Sequence, residues 1–319
     1  KDIRSSYLFT GYNCATVVYL ILSLAAPDSL DVPRLWISPL DVAKQAKQSG
    51  LIASTRLMPS LTWKIRMLKE TLSAEASKRI ESLVLNAELA FERFSASGPE
   101  RFLEKELALT YARYLSLRDS GLRSSAIYRE FGNELTTRLR TIEGEIDLSQ
   151  FKSPLARPDD SQMTFSVMSR EKQTFLRLDF LPASHQLTDD ARQNFSESEL
   201  QLGLMTLLVD TRDSSVELEN LRLFSTKSIV PFDSFTGGIS GGFSFGIERR
   251  LGARLRPFRA GSVTPSIGAG FRIHDDVMIY GLVGAGLGYG HDSLFVFSQP
   301  EVGMVINELF DMKTVSGYA

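Results

Sequence analysis

The spacing of apolar residues changes character about halfway along the chain. Up to about residue 150 it follows the helical period. Phe102, Leu103, Leu107, Tyr111, Tyr114 and Leu115 fall on one helical stripe, and helical patterns are predicted near 73–95, 99–119 and 123–143. Ser38-Pro39-Leu40-Asp41 reads as a helix start. Serine is the N-cap, proline sits in the first turn, and Asp41 completes a capping box. This helix is predicted to end near Ser49, before Gly50, and another opens at Pro59-Ser60-Leu61-Thr62 and carries Trp63, Ile65, Met67 and Leu68. These stripes are expected to pack on one another, with Glu100, Arg101, Glu104 and Lys105 facing solvent. Tyr7-Leu8-Phe9-Thr10-Gly11 reads as a short strand leading into an apolar helix at Cys14.

Residues 153–161, with Pro154, Pro158 and Asp159-Asp160, read as a linker, and beyond them the period becomes two. Val263, Pro265, Ile267, Ala269, Phe271 and Ile273 alternate with Thr264, Ser266, Gly268, Gly270, Arg272 and His274. Leu200, Leu202, Leu204, Thr206 and Leu208 are expected to share one face. About eight strands are predicted: 162–172, 174–186, 198–211, 215–229, 240–250, 262–274, 277–290 and 294–307. They are longer than the usual globular strand. One face is apolar and the other polar or glycine-rich, which fits a membrane β-barrel, and also a water-soluble barrel or sandwich. The small-residue face is too thin to fill a large core and suits a lumen, which favours the membrane barrel. No aromatic C-terminal strand signal ends the chain, so the barrel is expected to be incomplete.

Composition narrows the function classes. The chain has 319 residues, enough for two domains, and its formal net charge of −2 argues against a general nucleic-acid binder. A single cysteine excludes an intramolecular disulfide, and no apolar run is long enough for a spanning helix. The chain begins at Lys1 and almost at once enters an apparent strand, so an upstream part of the protein is expected to be missing. Gly284-Ala285-Gly286-Leu287-Gly288-Tyr289-Gly290 lies inside an alternating strand, not between a strand and a helix as a dinucleotide loop requires. His274-Asp275-Asp276 and His291-Asp292 read first as hairpin tips, with metal binding as the alternative, and Arg249, Arg250, Arg254, Arg256 and Arg259 read first as a solvated loop at a strand end, with contact to anionic lipid headgroups as the alternative. No metal and no cofactor is expected.

Cys14 is the chemical candidate. A helix N-terminus presents unpaired N–H groups and partial positive charge, which stabilise a thiolate. The alternative is a small buried apolar residue. A nucleophilic cysteine also wants a histidine, and His185, His274 and His291 all lie far downstream.

Two groups of segments carry a family resemblance. The first is Tyr7-Leu8-Phe9-Thr10-Gly11-Tyr12-Asn13-Cys14, then Leu35-Trp36-Ile37-Ser38-Pro39-Leu40-Asp41 and Gly50-Leu51-Ile52. The second is Ser153-Pro154-Leu155-Ala156-Arg157-Pro158, then Leu176-Arg177-Leu178-Asp179-Phe180-Leu181-Pro182-Ala183-Ser184-His185. In this order they resemble bacterial envelope proteins with an Lnb-type N-terminal periplasmic domain. That domain is similar to the permuted papain-like fold of NlpC-type enzymes and lecithin:retinol acyltransferase. There an Asn-Cys pair opens the nucleophile helix, and the histidine precedes the cysteine.

The resemblance implies an α+β chain in three parts. Residues 1–70 would be the C-terminal part of a permuted papain-like domain, 71–152 a helical segment, and 153–319 an antiparallel β-barrel-like domain. It implies Cys14 as nucleophile, with the histidine upstream and with Asn13 or helix-start N–H groups as candidates for holding the oxyanion. The activity implied is acyl transfer or hydrolysis on an envelope lipid or lipoprotein, at the periplasm and outer membrane. Two departures stand out: Tyr12 replaces an acid common in the family, and Asp159-Asp160-Ser161 replaces a Gly-His pair. The rival expectation is a non-enzymatic outer-membrane barrel or structural module with a helical periplasmic part.

Overall fold

The computed structural model describes residues 13–27, 37–56, 58–87, 93–94, 98–119, 121–148, 155, 160–170, 173–189, 196–251, 257–274, 276–309 and 312–318. The strand predicted over residues 7–11 and the prolines of the predicted linker lie outside them. Among the described residues the fold is mixed, with six helices followed by ten antiparallel strands.

The helices are α1 (Cys14–Ala25), α2 (Pro39–Gln48), α3 (Leu61–Thr71), α4 (Ala74–Leu85), α5 (Gly98–Arg118) and α6 (Leu122–Arg138). The capping box forms as expected. Asp41 N–H donates to Ser38 Oγ (3.1 Å), and Ser38 N–H donates back to the Asp41 carboxylate (3.0 Å). Beyond α2, Gly50 takes φ 71°, a left-handed position that glycine reaches without steric cost. α3, α4 and α6 pack around α5, burying Ile65, Leu68, Ile80, Leu83, Leu107 and Leu135 completely. Glu100 is exposed as expected and Arg101 is half-buried, but the central position of α5 corrects the expectation for the other two charges. Glu104 is fully buried and pairs with Arg79, while Lys105 is buried and donates through Nζ to the Ile142 carbonyl (2.7 Å). α5 is enclosed by its neighbours, and its inward charges are held because they have partners.

The strands are β1 (Gln162–Arg170), β2 (Gln173–Leu181), β3 (Ala183–His185), β4 (Glu197–Asp210), β5 (Val216–Ile229), β6 (Ser240–Leu251), β7 (Pro257–His274), β8 (Val277–Gly290), β9 (Ser293–Leu309) and β10 (Met312–Tyr318). They form one open sheet in the order β1-β2-β4-β5-β6-β7-β8-β9-β10, with β3 also paired to β4. The count exceeds the predicted eight for two reasons. The span 174–186 is interrupted at Pro182, which has no N–H for the ladder, and β10 lies beyond the last predicted strand.

The sheet is rolled. β5 and β9 are four places apart in the strand order, yet Lys227 and Glu301 form a 2.6 Å ion pair. In a flat sheet four spacings would separate them by about 19 Å. Lys313 of β10 likewise reaches Glu197 of β4, and Asn307 Nδ2 donates to the same carboxylate (3.2 Å). The two faces of the roll differ sharply. On β8, Tyr280, Leu282, Gly284, Gly286, Gly288 and Gly290 are buried on the concave side, while Ile279, Val283, Leu287 and Tyr289 are exposed on the convex side. The glycine row has a packing reason: a Cβ at Gly286 would lie 2.2 Å from the Phe297 ring, and one at Gly288 would lie 2.3 Å from the Phe295 ring. There β9 rings lie over bare β8 backbone.

The expected common face of Leu200, Leu202, Leu204, Thr206 and Leu208 is not kept. Gln201 bonds Arg222 and Thr206 bonds Asp179, so these two residues both point to the concave side although they are five apart. The faces exchange near Gly203, which takes φ 72° opposite Leu223, where β5 steps register against β6.

The connection between β5 and β6, residues 230–239, joins the sheet to the helices. Phe235 is buried in the helical core with its ring 4.6 Å from that of Tyr111, and Lys69 Nζ sits 4.3 Å from the Phe235 ring centroid. Arg66 donates to Thr236 Oγ1 (3.2 Å) and to the Gly237 carbonyl (3.2 Å), and Tyr114 OH donates to the Thr236 carbonyl (3.3 Å). Phe235→Ala is expected to destabilise the helical part by about 3–5 kcal/mol in chemical denaturation followed by helix signal. A loss below about 1 kcal/mol would show that the ring does not anchor the two layers.

Candidate functional site

Asn13 and Cys14 occupy the N-cap and first position of α1. Asn13 has the extended backbone of an N-cap, and its Oδ1 accepts from Thr16 N–H (3.0 Å) and Thr16 Oγ1 (3.3 Å). Its Nδ2 donates to the Ile37 carbonyl (3.2 Å), tying the start of α1 to the segment before α2. Asn13 is therefore buried and oriented by neighbouring backbone, while Cys14 beside it is exposed. Ala15 and Tyr19 turn inward onto Val42, whereas Val17, Val18, Leu20, Ile21 and Leu24 are exposed. The structure thus brings the two sequence-chosen residues together at a helix start, with the thiol outward.

No hydrogen bond or ion pair among the described residues joins Cys14 to a histidine. His185 on β3 contacts Ser198 Oγ through Nε2 (3.1 Å), His274 ends β7 near Asp276, and His291 lies in the β8–β9 turn against Phe258. His291 and Asp292 take φ 49° and 57°, as expected of a tight hairpin. Gly284–Gly290 lies in β8, as read from its alternation. The arginine group is not a solvated loop where it is described. Arg249 and Arg259 pair with Glu217 (3.7 and 3.1 Å), and Arg250 bonds Glu248 with its guanidinium 3.6 Å from the Phe297 ring centroid. Arg254 and Arg256 lie outside the described residues.

A second set of polar residues lines the concave face, and the sequence reading did not single it out. Arg177 grips Asp179 through two nitrogens (2.9 and 3.0 Å), and Thr206 Oγ1 donates to the same carboxylate (2.7 Å). Tyr280 OH donates to Glu301 (2.8 Å), which also pairs with Lys227. Two cavities of about 100 and 360 Å³ share Glu199, Lys227, Gln299 and Glu301 as a common wall. The available signal was charged or amide side chains at alternate strand positions, as in Glu197, Glu199 and Gln201. Among the described residues no cluster of histidine, cysteine and acidic side chains is arranged to hold a metal ion.

Residues 153–311 match the family described as a domain of unknown function, DUF7840. The match covers β1 through the whole of β9 and stops just before β10. No curated protein matches, and no solved structure matches.

A third cluster lies where α3 meets the β5–β6 connection. Burial pushes the Asp233 carboxyl upward, but the Lys69 ammonium and the N–H groups of Thr236 and Phe235 outweigh that and hold it below the ordinary carboxylate range. Burial, reinforced by Glu81, raises the Tyr111 phenol to about 12, so it stays neutral. A carboxyl depressed on folding stabilises the folded state above its unfolded pKa, about 3.9, and that contribution fades as pH falls through the lower folded value. The resistance of the helical part to urea is therefore expected to fall below about pH 4. Asp233→Asn should show a shallower acid slope, and an unchanged slope would exclude Asp233 as a source.

Proposed function

We propose that the rolled sheet is an outer-membrane β-barrel-like structure, with its convex face in lipid and the helical part docked at one rim. The observation that carries this reading is the inversion of the two faces. Charged and hydroxyl side chains pair across the concave side, while Phe245, Val263, Ile267, Val283, Leu287 and Val296 lie exposed on the convex side. Soluble monomers rarely expose apolar patches beyond a few hundred Å². The height also agrees. On β8 the exposed apolar row runs from Ile279 to Tyr289. Ten strand steps span about 33 Å, and a tilt of roughly 40° reduces this to about 25 Å, the height of the apolar band of such barrels.

No described helix is long and apolar enough to cross a membrane, so on this reading the crossing belongs to the strands. The chain is expected in the membrane fraction, extractable only with detergent; recovery in soluble extract without detergent overturns the reading. Val283→Arg, midway along the β8 row, should cost about 2–4 kcal/mol in a bilayer. On an exposed soluble strand the same change stays within about 0.5 kcal/mol.

A second reading, cysteine-dependent acyl transfer or hydrolysis on an envelope lipid or lipoprotein, is favoured by the exposed thiol at the start of α1. A general base would take the thiol proton, the thiolate sulfur would attack the acyl carbonyl, the leaving alcohol or amine would receive that proton from the protonated base, and an amine or water would then cleave the thioester. Because Cys14 is the sole cysteine, labelling is unambiguous. A thiol-reactive lipid-like probe should label the full-length protein, and Cys14→Ala should abolish both label and acyl transfer. Acyl transfer that survives Cys14→Ala sinks the nucleophile.

A further inference from the structure

We infer that the cavity between α3 and the sheet rim binds the phosphate of an anionic phospholipid headgroup; the inference rests on the membrane reading above. The cavity, about 240 Å³, is lined by Arg66, Lys69 and Glu70 of α3, by Phe232 and Asp233 of the β5–β6 connection, and by Arg272 near the end of β7. Three cations thus face two acids. Asp233 holds Lys69 through one oxygen and accepts from Phe235 and Thr236 N–H through the other. Arg66 and Arg272 come from different layers and act on each other electrostatically. Burial lowers the Arg66 pKa most, the Asp233 charge opposes that, and the charge of Arg272 adds to the lowering. A phosphate bound in this cavity suits the forked donors of the two guanidinium groups that line it.

The lipid source follows from Phe232. It lines the cavity, it is 59% exposed, and its ring centroid lies 6.4 Å from that of Phe271, an exposed residue of the convex face. Ile239 and Ile273 are also exposed at this rim, at 73% and 62%. The cation-lined cavity and the apolar outer surface therefore meet at one aromatic residue. This is the arrangement an amphiphile requires, with its headgroup over the rim and its chains along Phe232 and Phe271. Aromatic residues and basic pockets at the interface suit that depth.

The test uses the full chain in nonionic detergent, with native mass spectrometry after addition of phosphatidylglycerol or phosphatidylcholine. Phosphatidylglycerol should be retained about tenfold better, and Arg272→Gln should remove that preference while leaving the heat-modifiable gel mobility of the folded sheet unchanged. If Arg272→Gln does not fold, Arg272→Lys and Phe232→Ser decide: each should weaken phosphatidylglycerol retention. Inorganic phosphate alone should not reproduce the binding; equal protection of the wild-type chain by phosphate, without lipid preference, overturns the lipid assignment. Equal retention of both lipids by a detergent-requiring chain overturns the site and leaves the membrane reading standing. If the chain is soluble without detergent, Arg272-dependent binding to phosphatidylglycerol vesicles over phosphatidylcholine vesicles keeps the site although the membrane reading fails.

Discussion

Pairing of charges across the concave face holds the sheet in its roll. Lys227 meets Glu301, and Lys313 meets Glu197, between strands that a flat sheet would keep far apart. A charge removed from water is costly unless it finds a partner with good geometry. The inward lysines, arginines and carboxylates therefore tolerate burial because the curvature brings them together. The same alternation sends the apolar residues outward, so inner pairing and outer hydrophobicity are two consequences of one register. A slip by one residue would expose the ion pairs outside and bury aliphatic side chains without charge partners.

The link between helices and sheet has a different physical character. Among the described residues it centres on the β5–β6 connection and its buried Phe235 ring, with polar contacts around it from Arg66, Lys69 and Tyr114. Asp233 organises that connection from within by accepting from the Phe235 and Thr236 N–H groups, and it holds Lys69 from across the interface. The turn conformation and the docking are therefore coupled through one carboxylate. The two left-handed glycines that follow, Gly237 and Gly238, let the chain return to β6; at Gly238 a Cβ would lie 2.7 Å from the Pro231 carbonyl.

Cys14 and the rolled sheet support functional readings of unequal kinds. The membrane reading draws on a pattern repeated over many strands, so no single residue carries it. The thiol reading draws on one residue at a helix start, beside an asparagine already committed to capping. A helix N-terminus favours a thiolate but does not by itself provide the base that catalysis requires.

Much of the architecture was legible from local rules. Ser38, Pro39 and Asp41 specify a helix start through contacts within four residues, and Gly50 stops that helix through its own φ. Period-two alternation marked seven of the eight predicted strands as continuous; the other is split at Pro182. The sequence alone could therefore determine element type, the boundary between helices and strands, and the apolar character of one strand face, because each depends on neighbours close in the chain. The tertiary structure decided that α5 is enclosed and buries Glu104, that the faces of β4 exchange near Gly203, and that Phe235 enters the helical core. It also decided which charges pair, as Glu197 and Lys313 do across 116 residues. Those outcomes depend on distances between segments remote in sequence, which curvature and packing set.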